Sequence, residues 1–132
     1  MTHLLDTDVC VAVLRGMKAV QERLRMLSPD DVGVSTVSIY ELFAGVERCR
    51  DPRAEGRKVE RFLAPLHILT LDRESARRAA KVRAKLQESG TVIGPYDLLL
   101  AGQALALEVK LVTRNTREFS RVAGLKLEDW LS

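Results

Sequence analysis

The chain has 132 residues, 46% of them apolar and 30% charged, with a formal net charge of +3. That length supports one hydrophobic core without disulfide or metal staples, and the balance of apolar and charged residues excludes a disordered or collagen-like chain. No apolar run approaches the roughly 20 residues of a bilayer span, and the opening MTHLLDTD puts a carboxylate where a signal peptide is apolar, so the expectation is a single cytoplasmic domain over residues 1–132, with no membrane partner.

Along the chain, a short apolar run from His3 to Leu5 ends at Asp6, and Asp8 opens a helical stretch through Arg15. A second helix is predicted from Met17 to Leu27, the tetrad Ser28-Pro29-Asp30-Asp31 reads as a turn, and Val32-Gly33-Val34 as a buried strand. Thr36 to Arg48 carries apolar residues at helical spacing, and a narrower charged helix runs from Pro52 to Ala64 before Pro65 stops it. Leu66 to Leu71 alternates like a strand. Asp72 starts a long helix to Glu88, with Gly90 placed to close it, and Gly94-Pro95 opens another to Leu107. Leu111 to Thr113 is a strand, Asn115 to Arg121 a turn or short helix, and Leu125 to Leu127 a last strand. Strands alternating with helices imply an α/β domain with a mostly parallel sheet covered on both faces, and in such sheets ligands bind beyond the carboxyl ends of the strands.

Charge is unevenly spread. From Arg48 to Lys85 the chain has 12 of its 21 basic residues against five acids, a local balance of +7, which leaves the remainder at −4. A basic middle suits an anionic partner, and an acidic remainder suits a cation; a pair of solvated charged helices is the plainer alternative. Cys10 and Cys49 have neither the spacing nor the partners of a disulfide framework or a zinc site, and read as free thiols. His3 and His67 fall in predicted strands and read as core or edge histidines. No phosphate-binding loop, nucleophile elbow, zincin or dinucleotide fingerprint is present.

Four carboxylates are drawn to one edge by this arrangement. Asp6 ends the first strand, Glu41 lies early in the helix after the second, Asp97 sits in the first turn after Gly94-Pro95, and Glu118 follows the LVT strand. Each has a local explanation: Asp6 as a helix cap, Glu41 with Ser38 as a capping box, Asp97 as a complement to the helix dipole, Glu118 as a solvated acid. None of these explains why all four fall at the carboxyl edge. Unit charges about 4 Å apart repel by about 4 kcal/mol at an effective dielectric constant near 20. Such a cluster therefore calls for a hard divalent cation, Mg2+ or Mn2+.

The segments LLDTD at 4–8, VSTVSIYELFAGVER at 34–48, IGPYDLLLAGQAL at 93–105 and LVTRNTREFSRVAGLKLEDW at 111–130 together resemble the PIN-domain toxins of the VapC type, in order and across nearly the whole chain. The resemblance implies a three-layer α/β/α fold and a magnesium-dependent endoribonuclease, with Mn2+ able to substitute. It also implies a toxin of a type II toxin–antitoxin pair, a homodimer, neutralised by a VapB-like antitoxin and cutting a structured cellular RNA such as a transfer RNA or a ribosomal RNA loop. The family's acidic quartet maps onto Asp6, Glu41 and Asp97, with the fourth role at Asn115 or Glu118. Many relatives carry Asn where this chain has Asp8, and many place Asp where it has Asn115. In that reading Asp6 and Asp97 hold the ion directly, Glu41 and Glu118 act through its waters or a second ion, and Thr7 and Thr113 fix the carboxylates. Arg57, Arg61, Arg77, Arg78 and Lys81 become candidate contacts for the RNA backbone, and with few aromatics in the chain, base stacking is expected to be minor.

Two other readings compete. The Asp6-x-Asp8 pair at a strand end suggests a phosphatase of the haloacid dehalogenase type, with Asp6 as nucleophile, although the continuation Val9-Cys10 does not match it. A receiver-like signalling module of similar length would use an acceptor aspartate after the third strand, where this chain has Asp72.

Overall fold

Polar residues placed just after strands or loops start the helices. Asp6 accepts from the Thr7 amide, Ser35 from Val37, Asp51 from Ala54 and Asp72 from Ser75, each satisfying an N–H that a helix start leaves free. The computed structural model describes residues 1–131. It begins with strand β1 (His3–Leu5), helices α1 (Thr7–Leu14) and α2 (Lys18–Arg25), a 3-10 turn at Pro29–Asp31, and strand β2 (Val32–Ser35). Helices α3 (Thr36–Arg48) and α4 (Pro52–Leu63) lead to β3 (His67–Leu69), and α5 (Arg73–Glu88) and α6 (Pro95–Leu107) lead to β4 (Lys110–Val112). Helix α7 (Thr116–Phe119) and β5 (Leu127–Glu128) complete the chain. All strands are parallel, in the order β3-β2-β1-β4-β5.

Alternation along the central strands divides the core in two. Leu5, Val32, Val34 and Val112 face one side, where they pack with Val9, Cys10, Val20, Leu42, Val46, Val59 and Leu63 from α1 to α4. Leu4 and Leu111 face the other, against Leu86, Leu98, Ala101, Ala104 and Phe119 from α5 to α7. The result is a three-layer α/β/α sandwich. On the second side α5 and α6 approach closely: a Cβ on Gly102 would stand 2.5 Å from the Ala79 amide nitrogen and 2.7 Å from its Cα. Gly90, at φ +66°, adopts the left-handed turn that ends α5. Among the described residues no helix is long and apolar enough to cross a membrane.

Four local expectations need correction. The first helix starts at Thr7 rather than at Asp8, with Asp6 as its cap. The third strand is limited to His67–Leu69, because the Leu66 amide still bonds Leu63 and the Leu71 amide turns to Thr36 Oγ1. The last strand begins later than Leu125, whose amide closes a turn on Val122. Finally, Ser38 is no cap: it lies inside α3, fully buried, and Ser35 performs the capping from the end of β2.

Candidate active site

Register fixes the edge of the site. Leu5 pairs with Val34 on one side and Val112 on the other, so the next residues, Asp6, Ser35 and Thr113, stand level at the carboxyl ends of the three central strands. The Asp6 amide extends the ladder by donating to Val112 O at 2.8 Å. Its carboxylate is only 4% exposed and accepts two bonds, from the Thr7 amide at 2.7 Å and from Thr113 Oγ1 at 2.8 Å. Burial pushes Asp6 from an ordinary 3.8 up to about 6; the Thr113 bond opposes this, and the charges of Asp97 and Asp8 add to it. Asp97, in the first turn of α6, is also pushed up to about 6, first by burial and then by Glu118, Glu41 and Asp8. These five acids thus act on one another across four segments of chain.

Glu41 is held by a relay. Thr7 Oγ1 lies 2.8 Å from Glu41 Oε1 and 2.9 Å from Ser38 Oγ. A hydroxyl carries one proton and the carboxylate only accepts, so Thr7 donates to Glu41 while Ser38 donates to Thr7. Thr113 has a matching place on the other side, since its Oγ1 accepts from the Asn115 amide at 3.0 Å while donating to Asp6. Asn115 begins α7 without a side-chain cap bond, and Glu118 follows within that helix, half-buried and facing Asp97 electrostatically. Thr7 and Thr113 therefore do fix carboxylates, as their strand-end positions suggested.

The donor set suits a hard divalent cation. All its members offer oxygen, and two carboxyls that resist ionisation in the metal-free protein gain most from a nearby positive charge. Among the described residues no three Asp, Glu, His or Cys side chains already stand in a ligating arrangement. An ion such as Mg2+ keeps several waters and takes only one or two protein carboxylates directly, so it does not require such an arrangement.

The other groups lie elsewhere. The Asp72 carboxylate, which a receiver reading would phosphorylate, is an exposed helix cap bonded to the Ser75 amide at 2.9 Å, and that bond holds its pKa below the usual carboxylate range. Asp6, the nucleophile of a phosphatase reading, has both carboxylate oxygens engaged and is buried. His3 is buried, 3.4 Å from Glu128, and His67 is exposed near Asp30. Cys10 is buried, its thiol pushed up by burial and then by Asp6, and Cys49 is half-buried; both are free.

Basic candidates are divided between layers. Arg57 and Arg61 flank a groove of about 720 Å³ between α3 and α4. Arg78 and Lys81 line another of about 660 Å³, with Lys85 and Arg121, on the opposite side of the sheet; Arg77 is exposed on the same helix, and Arg78 also pairs with Glu74 at 3.5 Å.

One feature escaped the sequence reading. Tyr40 and Tyr96, 59% and 41% exposed, meet edge to face with ring centroids 5.6 Å apart and hydroxyls 3.3 Å apart. Their bond pushes the Tyr96 phenol up, and Glu41 adds to the shift. Each tyrosine immediately precedes a candidate acid, Glu41 or Asp97, which was the available signal.

Comparison with known proteins agrees with this fold. The PIN domain model matches residues 3–125. The chain is 35% identical over 131 residues to the tRNA(fMet)-specific endonuclease VapC of Shigella flexneri, and 31% identical over 132 residues to ribonuclease VapC2 of Rickettsia felis, covering 98% of both chains in each comparison. Among solved structures it is similar to DNA-bound VapBC from Salmonella typhimurium, with a TM-score of 0.94 at 32% identity, covering 98% of each chain. VapBC2 from Rickettsia felis bound to a promoter DNA fragment gives 0.93 at 30%, covering 98% of this chain and 99% of that one.

Proposed function

The chain belongs to the PIN-domain family as an endoribonuclease of the VapC type, and from that premise we propose that it is a divalent-metal-dependent toxin, held silent by a VapB-like antitoxin, that cuts a structured cellular RNA. One observation carries the reading: four separate segments bring five acids into mutual electrostatic contact at the carboxyl edge of the sheet, with two of them resisting ionisation. Asp6 and Asp97 would hold the ion, with Glu41 and Glu118 reaching it through water. A divalent ion bound there neutralises charge building on the phosphate and makes a coordinated water more acidic.

The chain's own residues perform the rest. Thr7 and Thr113 hold Asp6 from two sides, so its oxygens keep one orientation. The Ser38–Thr7 relay holds Oε1 of Glu41, leaving Oε2 to accept a proton from an attacking water. Asn115, uncharged and at the start of α7, orients a phosphate oxygen or a water. Relatives named as tRNA(fMet)-specific endonucleases support a transfer RNA as the first target to examine. The chain as a single domain, and a second copy as its partner in a homodimer, belong to the same proposal.

The test is cleavage of total cellular RNA with 5′ ends mapped after brief induction. Asp6→Asn and Asp97→Asn should each abolish cleavage and growth inhibition while the purified proteins stay folded, and chelator should silence the wild type until Mg2+ or Mn2+ is restored. Glu118→Gln should lower activity strongly, with partial recovery at high Mg2+, whereas Asp8→Asn should be tolerated. Full activity in the Asp6 or Asp97 variant would refute the assignment.

A further inference from the structure

The geometry points to Tyr40 and Tyr96 as a stacking clamp that holds a nucleobase of the RNA beside the acidic site. This rests on the ribonuclease reading and deepens it by naming how one nucleotide is placed.

The two residues are the only tyrosines of the sequence and, among the described residues, the only aromatics in the set of exposed large apolar side chains. Phe119 and Trp130 are buried in the core and Phe43 and Phe62 pack against it, so the molecule places these two rings outside while keeping the others inside. They come from α3 and α6, the helices that also present Glu41 and Asp97. Tyr40 directly precedes Glu41 on α3, and Tyr96 directly precedes Asp97 in the first turn of α6, so the hydroxyl bond between the rings joins the two helices next to those acids.

An interplanar angle of 63° means that one ring offers its edge to the face of the other, so ring faces remain open to a base. The hydroxyl–hydroxyl bond fixes both side chains relative to each other before anything binds. Rings preset in this way lose little freedom on stacking. Aromatic stacking tolerates any base and draws nothing from charge. It is therefore independent of the arginines and lysines, whose contribution falls with salt. Beside an acidic cleft, a neutral hold on the neighbouring base adds to what a bound ion and the basic side chains do for the phosphates.

The experiment uses an RNA oligonucleotide spanning the mapped cleavage site, with 2-aminopurine walked through the nucleotides that flank the cut. Binding is measured in the Asp97→Asn protein with Mg2+ present, so that the strand stays whole. We expect quenching at one flanking position, and roughly 5- to 150-fold weaker binding in Tyr40→Ala and Tyr96→Ala, with the slope of log affinity against log salt unchanged. Tyr40→Phe and Tyr96→Phe should keep most of the quenching. An abasic nucleotide at the quenched position should weaken the parent and leave the alanine variants unaffected. Alanine variants that bind like the parent overturn the clamp, as does an equal loss on abasic RNA. So does a change in molar mass by light scattering with RNA affinity intact, which assigns the rings to an interface between copies. If the wild type cuts RNA while the rings are silent, the ribonuclease reading survives and only the clamp falls; if the wild type neither binds nor cuts RNA, the ribonuclease reading itself falls.

Discussion

Asp6 combines two roles that oppose each other energetically. As the cap of α1 it is well bonded, yet as a buried carboxylate near Asp97 and Asp8 it is costly to ionise. Its folded value of about 6 exceeds the ordinary 3.8, so between these pH values the folded chain binds more protons than the unfolded one. Stability of the metal-free protein therefore falls as pH rises from about 4 to about 6 and stays reduced above, by at most about 3 kcal/mol from this group at 1.36 kcal/mol per unit. Asp97 contributes in the same direction. Asp6→Asn keeps the cap, since its Oδ1 still accepts from Thr7 while its amide donates to Thr113 Oγ1. We expect the variant to melt higher than wild type at pH 8 in chelator, to show a flatter dependence on pH, and to gain less from added Mg2+. Thermal melts across pH 4–8 measure all three, and an unchanged pH dependence in Asp6→Asn would place the costly charge elsewhere.

Close packing of α5 on α6 supports the turn that presents Asp97. Because a methyl at Gly102 would meet backbone atoms of Ala79 rather than a yielding side-chain tip, Gly102→Ala should destabilise the fold by about 1–3 kcal/mol, read as a lower midpoint in urea. Gly45→Ala has open space and should be neutral or slightly stabilising, as expected for a glycine in a helix interior. The element order, the parallel sheet, the strand-end position of Asp6 and the helix-start position of Asp97 were legible in the sequence, because apolar runs, caps and prolines are local signals. Positions that depend on distant partners were not. Ser38 fits a capping box by spacing, but the cap is Ser35, whose role depends on where β2 ends in the ladder. The bond from Thr7 to Glu41 joins residues 34 apart, and the tyrosine pair joins residues 56 apart, so neither leaves a periodic trace.

At the scale of the whole molecule, the basic middle is split by the sheet rather than gathered in one patch. An RNA that reaches the acidic edge can meet α4 on one side and α5 on the other. Arg57 and Arg61 changed together to Gln, and Arg77 and Lys81 likewise, should each weaken RNA binding in the Asp97→Asn background, and each should flatten the salt slope by about 0.7 per lost contact on single-stranded regions. Lying on opposite layers, the two effects should add. If neither pair alters affinity or slope, the +7 segment is a solvated face. The central position of β1 in the sheet has a further consequence, for the order in which the site can assemble. Asp6 stands at the end of a strand whose second neighbour is β4, and it is steadied by Thr113, so this catalytic candidate waits for a residue 107 positions later in the chain. A nascent chain still lacking residues 110–118 has no partner on that side of β1 and no Glu118. Residues 110–118 must therefore be in place before the edge can form, however early Asp6 itself is made.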